Sequence, residues 1–237
     1  MTNLEQALLF ATIAGAAMPL GALAAVRERL QSDWLEAEFR HSVIAFGGGV
    51  LLAAIALVLV PEGVRDLPPW ACLAAFAAGG IIAFIADRAI ERRGGAAAQL
   101  MAMLLDFVPE ALAMGAMLAQ RSQAGVLLAL LIGLQNLPEG FNAYRELQAT
   151  RRHNPAMLIA AFVLLVPLGP AAAWIGMTVL EAHPYALSMI MLFAAGGILY
   201  LTFQDIAPQV RLDRHWAPPL GAVGGFLLGL AGSFIVA

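Results

Sequence analysis

The sequence contains no lysine, and all 13 of its basic residues are arginine. Charged residues make up only 12% of the 237 residues, whereas about 25% is usual in water-soluble domains. That proportion leaves too little polar surface to cover a water-soluble globule. The formal net charge of −3 lacks the basic excess typical of proteins that bind nucleic acids, so no nucleic-acid partner is expected.

Cysteine is almost absent as well. Cys72 is the single cysteine of the chain, which excludes an intrachain disulfide and a metal site built from cysteines. The four histidines fall in predicted loops or at helix ends, and we interpret them as ordinary solvated side chains. They are His41, His153, His183 and His215.

What the sequence has instead is a succession of apolar segments of about 20 residues, the length at which a helix crosses the core of a bilayer. Within lipid every backbone N–H and C=O group needs an internal partner, so these segments are predicted to be helices. The predicted fold is an all-α integral membrane protein that forms a single domain, residues 1–237. We expect eight transmembrane helices, at residues 4–26, 42–62, 70–90, 97–119, 124–146, 156–180, 184–207 and 217–237.

The arginines predict the orientation of these helices. Eleven of them lie in or beside the loops after the first, third, fifth and seventh helices, and only Arg65 and Arg121 lie after the second, fourth and sixth. Because cytoplasmic loops carry an excess of basic residues, both termini are expected on the extracytoplasmic side, most naturally of a bacterial inner membrane. The eleven are Arg27, Arg29, Arg40, Arg88, Arg92, Arg93, Arg145, Arg151, Arg152, Arg211 and Arg214.

The second and seventh predicted helices share a pattern. Phe46 and Pro61 are separated by 15 residues, and so are Phe193 and Pro208, with small residues clustered after each phenylalanine. Since the two helices run in opposite directions, the match predicts an inverted repeat, helices 1–3 and 6–8, around a central antiparallel pair, helices 4 and 5. The alternative is that small residues recur in any membrane bundle because they permit close packing.

Polar side chains occupy the middle of the two central helices. Asp106 and Glu110 are four residues apart on the first, Gln135 and Glu139 are four apart on the second, and Asn136 lies beside them. Residues at this spacing share a helix face. A charged side chain at the centre of a bilayer costs about 2.5–3.5 kcal/mol, and no intramembrane basic residue is available to compensate. The remaining ways to tolerate these carboxyl groups are protonation or a bound cation. Oxygen ligands of this kind suit divalent cations.

Two prolines lie within the same pair of helices and extend this interpretation. Pro109 and Pro138 cannot donate a hydrogen bond, which frees the carbonyl groups of Leu105 and Leu134. In an antiparallel pair Asp106 should lie level with Glu139, and Glu110 with Gln135. The competing interpretation is that each carboxyl is neutral, hydrogen-bonded and serves helix packing.

At these residues the chain resembles the ZIP family of divalent metal transporters. The most specific part is the segment 135–140, Gln-Asn-Leu-Pro-Glu-Gly, which matches the family signature [HQ]-[ND]-x-P-E-G. The resemblance extends over eight spans with both termini outside, and it implies a mid-membrane metal site between helices four and five and transport by alternating access. The metal is then the substrate rather than a resident cofactor, and the lipid bilayer is the other partner.

The chain also departs from the family pattern. Asp106 and Phe107 stand where the family usually has His-Asn, and Val166 stands where it commonly has Glu. The histidine-rich loop between helices three and four is missing. The resemblance therefore implies one metal site, formed by Asp106, Glu110, Gln135 and Glu139 with Asn136 beside them, and less preference for zinc.

Other functions stay open at this stage. A diverged relative could move another cation or not transport at all. An intramembrane enzyme is a third class, but the sequence has no H-E-x-x-H motif, nucleophile elbow or Cys-His arrangement, and we expect no enzyme activity. The metal identity, the direction and driving force of transport and the oligomeric state, a homodimer among the alternatives, do not follow from the sequence.

Overall fold

The computed structural model describes residues 1–27, 33–93, 96–149, 154–210 and 216–236. Five of the arginines used for orientation lie outside these ranges, and two of the histidines do too. They are Arg29, Arg151, Arg152, Arg211, Arg214, His153 and His215. The described residues form eight helical rods and, within those ranges, no strand. These are α1 (Asn3–Arg27), α2 (33–63), α3 (Pro69–Arg93), α4 (Ala96–Ala119), α5 (Gln123–Ala149), α6 (Pro155–Leu180), α7 (Pro184–Val210) and α8 (Pro218–Val236).

The all-helical fold predicted from the sequence is confirmed over the described residues. The predicted ends agree with the structure within three residues, except that α2 begins at Asp33 rather than at residue 42. Of the helices described, seven are long and apolar enough to cross a membrane, and these features define an all-α membrane protein. The seven do not include α4, which carries Asp106 and Glu110.

Proline residues explain an irregular turn in each of three rods, whereas a further π-helical turn in α6, Gly176–Leu180, is not followed directly by a proline. In α2 a π-helical turn, Ile55–Leu59, comes just before Pro61, and in α7 another, Thr202–Ile206, comes just before Pro208. A proline removes one backbone N–H donor and its ring crowds the preceding turn, and a wider π turn accommodates both effects. In α6 the helix breaks at Val166 and Pro167, and the carbonyl group of Val163 accepts the N–H of Val166 instead, at 3.2 Å.

The rods pack into a bundle with α4 and α5 at its centre. Helix α1 packs most extensively against α5, and α6 packs against α4. On the outside of these four, α2 packs against α8 and α3 packs against α7. Helices α2 and α7 also contact the central pair, so the middle of α4 and α5 is enclosed from several sides.

Glycine permits the closest of these approaches. A methyl group at Gly21 would overlap the carbonyl oxygen of Leu137, and one at Gly140 would overlap that of Met18. Helices α1 and α5 can therefore pack with their backbones in contact. Small residues permit such close packing in membrane bundles, where the burial of apolar surface does not drive helix association. The same contact fixes the depth of α5, and with it the side chains one turn before Gly140.

Candidate metal site between the central helices

A tight turn sets α4 and α5 side by side. At the end of α4 the N–H of Ser122 donates to the carbonyl oxygen of Met117 at 2.9 Å, and that of Arg121 donates to Leu118 at 3.1 Å. Arg121 has a φ of 57°, the left-handed conformation that usually ends a helix. The chain thus reverses within a few residues, and polar side chains at the middle of α4 come to lie opposite those of α5.

The structure brings the predicted polar residues together in the predicted pairs. The Nε2 atom of Gln135 donates to Oε2 of Glu110 at 2.5 Å. The carboxyl groups of Asp106 and Glu139 lie close to each other, one turn away along both helices. Four side chains from two helices therefore meet across two adjacent turns at the middle of the bundle.

Most of this cluster is excluded from solvent. Glu110 and Gln135 are 0% exposed, Asn136 is 1% exposed and Asp106 is 7% exposed. Glu139 is half-buried. Within the described part of the chain none of the three carboxyl groups forms a salt bridge. A buried carboxylate without a counter-charge is strongly unfavourable, so this arrangement calls for a proton or a cation.

Several oxygen atoms of the cluster have no hydrogen-bond partner although they are buried. They are Oε1 of Glu110, Oε1 of Gln135, Oδ1 of Asn136 and Oε2 of Glu139. Buried polar groups are nearly always hydrogen-bonded, and each exception needs an explanation. Four unsatisfied oxygens, two from carboxyl groups and two from amides, form the kind of ligand set that hard divalent cations prefer.

Asn136 is held from outside the central pair. Its Nδ2 atom donates to the backbone carbonyl oxygen of Ala14 in α1 at 2.8 Å. That bond uses the donor end of the amide and leaves Oδ1 as the free acceptor. The sequence could not identify Ala14, because a backbone carbonyl carries no residue-type signal.

Among the side chains that the structure describes, no group of three or more His, Cys, Asp or Glu residues is arranged to hold a metal ion. The cluster contains three carboxyl groups, but Asp106 also turns its Oδ1 atom toward the N–H of Phe107, at 2.8 Å. The remaining oxygens of the cluster come in part from amides. Any cation bound here would thus use a mixed set of carboxylate and amide oxygens.

Phe107 and Val166 occupy the side of the cluster that faces α1 and α6. Phe107 is completely buried, and its ring tip lies 3.2 Å from where a methyl group at Gly15 would stand. At Gly169 that distance is 2.6 Å. Val166 lies at the break in α6, with its carbonyl oxygen also near Gly15. Apolar packing therefore fills this side, as expected from residues that cannot coordinate a metal.

The polar stripe continues along α5 beyond the cluster. The Nδ2 atom of Asn142 donates to Oε1 of Glu146 at 2.8 Å, and Arg40 of α2 approaches Asn142. Arg40 was expected beside the end of a helix, but α2 begins at Asp33, so Arg40 lies inside that helix. Met114 and Met117, which follow Glu110 along α4, are buried, whereas Gln204 and Asp205 near the end of α7 are exposed.

No protein-family model matches the chain, and no curated protein matches it. The class of the molecule therefore rests on its own features: long apolar helices and a buried cluster of carboxyl and amide groups between two of them. These features define an all-α membrane protein with a polar site in its interior.

Proposed function

We propose that this protein is a ZIP-like transporter that moves divalent metal cations across the membrane through a single site between α4 and α5. The observation that carries the proposal is the set of four buried oxygen atoms without partners, on Glu110, Gln135, Asn136 and Glu139. A structural role in helix packing would satisfy these atoms with hydrogen bonds. A cation supplies the missing partner to all of them and offsets the carboxylate charge as well.

The chemistry of the ligand atoms also constrains which metal ions are expected as substrates. Carboxylate and amide oxygens are hard ligands, which suit Mg²⁺, Mn²⁺ or Fe²⁺ better than a site with histidine or cysteine does. Affinity still rises toward the later transition metals, so zinc remains a substrate. We therefore propose a site of low zinc selectivity rather than one that excludes zinc.

Eight membrane-spanning helices arranged as an inverted repeat complete the proposed architecture. Reciprocal glycine contacts support it: the α1–α5 contact has a counterpart between α6 and α4, and the α2–α8 contact has one between α7 and α3. In each case a methyl group on one glycine would overlap a carbonyl oxygen of the facing helix. The four glycine pairs are Gly21 and Gly140, Gly176 and Gly115, Gly49 and Gly225, and Gly196 and Gly79.

The π-helical turns of α2 and α7 support the same arrangement. The N–H of Val60 donates to the carbonyl oxygen of Ile55 in α2, and that of Ala207 donates to Thr202 in α7. Ala207 lies 147 residues after Val60, and Thr202 lies 147 residues after Ile55. Phe193 follows Phe46 at the same separation. Inverted repeats around a midplane site are typical of alternating-access transporters. We propose the same mechanism here, with both termini extracytoplasmic.

The proposal is tested by uptake into vesicles that contain the purified protein. The panel is Mg²⁺, Mn²⁺, Fe²⁺, Co²⁺, Ni²⁺, Zn²⁺ and Cd²⁺, and the comparison is with vesicles that contain the double variant E110Q and E139Q. E181Q serves as the matched control, because Glu181 is an exposed carboxyl outside the cluster. We expect uptake of several divalent cations by the wild type and E181Q alone. No uptake of any metal, with a folded protein, would favour a diverged relative that moves another cation or does not transport.

A further inference from the structure

A basic side chain approaches the polar stripe of α5 from the neighbouring helix. Glu139, Asn142 and Glu146 follow one another at spacings of three and four residues, which places them on one face of α5. The face runs from the central cluster to the end of the bundle where Arg27, Arg88 and Arg145 lie. Beyond Glu139 these polar side chains form a stripe toward that end, which is the candidate polar route on α5.

Helix α2 covers this face. A methyl group at Gly47 would stand 3.1 Å from Cγ of Pro138, so the two backbones are close beside the cluster. Two turns earlier in α2, Phe39 packs edge to face against Phe141, with ring centroids 6.2 Å apart. Arg40 follows Phe39 and reaches the same stretch of α5.

The guanidinium group of Arg40 is poorly satisfied there. Its Nη2 atom lies 3.5 Å from Oδ1 of Asn142, a long contact, and its Nε atom is enclosed without any hydrogen-bond partner. Asn142 in turn donates to Glu146 at 2.8 Å. A half-buried guanidinium group with an enclosed and unused donor is held weakly, because good hydrogen bonds do not offset the desolvation of that donor.

We propose that Arg40 is a tethered cation that closes the arginine-rich end of the polar route, and that it must leave Asn142 when a divalent cation passes. Two cations cannot share these acceptors, since like charges at such a distance repel strongly in an apolar interior. The weak hold on the guanidinium makes its displacement feasible on each transport cycle. The proposal rests on the proposed function, because it assigns a gate to the same route.

The first test measures uptake by vesicles that contain R40M or R40K. Methionine keeps much of the length of the arginine side chain without its charge, whereas lysine keeps the charge. We expect R40M to raise the maximal rate of Mn²⁺ uptake at least about threefold with little change in the half-saturating concentration, since the central cluster is untouched. R40K should stay close to the wild type. Wild-type rates in a folded R40M protein would overturn the gate.

The second test does not depend on transport. Ala143 is 1% exposed and lies one turn beyond Glu139 on the same face, and Cys72 is the one native thiol of the chain. In a C72A background, A143C should react with a charged methanethiosulfonate reagent faster in R40M than in R40K or the wild type. Equal labelling rates in all three would show that Arg40 does not close the route, whatever the metal assays give.

The two tests also separate this proposal from the proposed function. If the wild type takes up no divalent cation but A143C labels faster in R40M, the route exists and only its cargo was misassigned. If R40M does not yield a monodisperse protein, R40Q removes the charge while keeping a hydrogen-bond donor, and the same labelling comparison decides. A lipid-anchoring role for Arg40 predicts no change in labelling with any of these variants.

Discussion

Gln135 donates a hydrogen bond to Glu110 at 2.5 Å across the two central helices, yet each side chain keeps one buried oxygen without a partner. The bond holds the two side chains together in the interior of the bundle, where both are 0% exposed. Maintaining two unsatisfied acceptors costs roughly 1–3 kcal/mol for each of them. Such a cost is reasonable where a ligand supplies the missing interactions.

The first prediction concerns the carboxyl groups of the cluster. E110A and E139A should each lower metal uptake by a factor of about 100 or more, since even residues behind a metal ligand change affinity by about 10–100-fold. D106A should weaken uptake strongly but less completely, because Asp106 also bonds to the backbone of Phe107. The measurement is initial uptake by vesicles, with E181A as the control.

Folding must be checked separately in this experiment. Each variant should elute as a monodisperse species in detergent, since alanine also removes unsatisfied acceptors from the interior. If E110A and E139A both retain wild-type uptake, the carboxyl groups serve helix packing and the site lies elsewhere.

The helices were predictable because their apolar runs are long enough to span a bilayer. The start of α2 was not predictable from the sequence. Hydropathy indicates where a helix leaves the lipid, whereas the backbone hydrogen bonds of the helix can continue beyond that point. Residues 33–41 are rich in charged side chains, yet the helix continues through them. Arg40 was consequently expected beside a helix end, although it lies within α2 and its side chain is half-buried against α5.

The candidate site was predictable at the level of residues. An antiparallel pair with polar residues four apart places Glu110 opposite Gln135, and the structure has this pairing. The sequence is less informative about the register of the proposed repeat, that is, about which residues of α4 and α5 correspond to each other. The similar Pro-Glu pairs of α4 and α5 begin at Pro109 and Pro138, 29 residues apart, whereas the reciprocal glycine contacts relate Gly115 to Gly140, 25 residues apart. The difference is about one helical turn, and only packing between helices reveals it.

The second prediction concerns topology. Reporter fusions at Ala149, at the end of α5, and at Ala182, at the end of α6, should give opposite signals, with Ala149 cytoplasmic. The physical reason is the excess of arginine near the first position and its absence near the second. Alkaline phosphatase and green fluorescent protein fusions together provide the measurement. Identical signals at the two positions would contradict the proposed orientation and the depth assigned to the cluster.

The third prediction concerns the turn between the central helices. Arg121 adopts a φ of 57°, which costs a residue with a side chain roughly 1–2 kcal/mol. R121G should raise the free energy of unfolding by about 0.5–1 kcal/mol, because glycine removes this strain but has more entropy to lose. Thermal unfolding in detergent would report it as a higher midpoint temperature.

The neighbouring residue provides the control for that measurement. Gln120 is not in the left-handed region, so Q120G should lower the midpoint through the entropy of glycine alone. A lower midpoint for R121G as well would mean that contacts of the arginine side chain outweigh the backbone strain.

The fourth prediction concerns protons and metal selectivity. Without a cation, the charge of the neighbouring carboxyl groups of Asp106, Glu110 and Glu139 must be reduced by protons, because no described salt bridge compensates it. A divalent cation has to displace those protons. Metal binding should therefore weaken as the pH falls, and each binding event should release protons to the buffer.

Calorimetric titration of Mn²⁺ and Zn²⁺ at two pH values measures both effects. In buffers with different ionisation enthalpies, the observed heat changes in proportion to the number of protons released. E181Q should behave as the wild type, because Glu181 is exposed and far along the chain from the cluster. Hard oxygen ligands predict that Mn²⁺ and Zn²⁺ both bind, with less preference for zinc than a site containing histidine would have. Tight binding of zinc alone, independent of pH, would contradict the carboxylate and amide site.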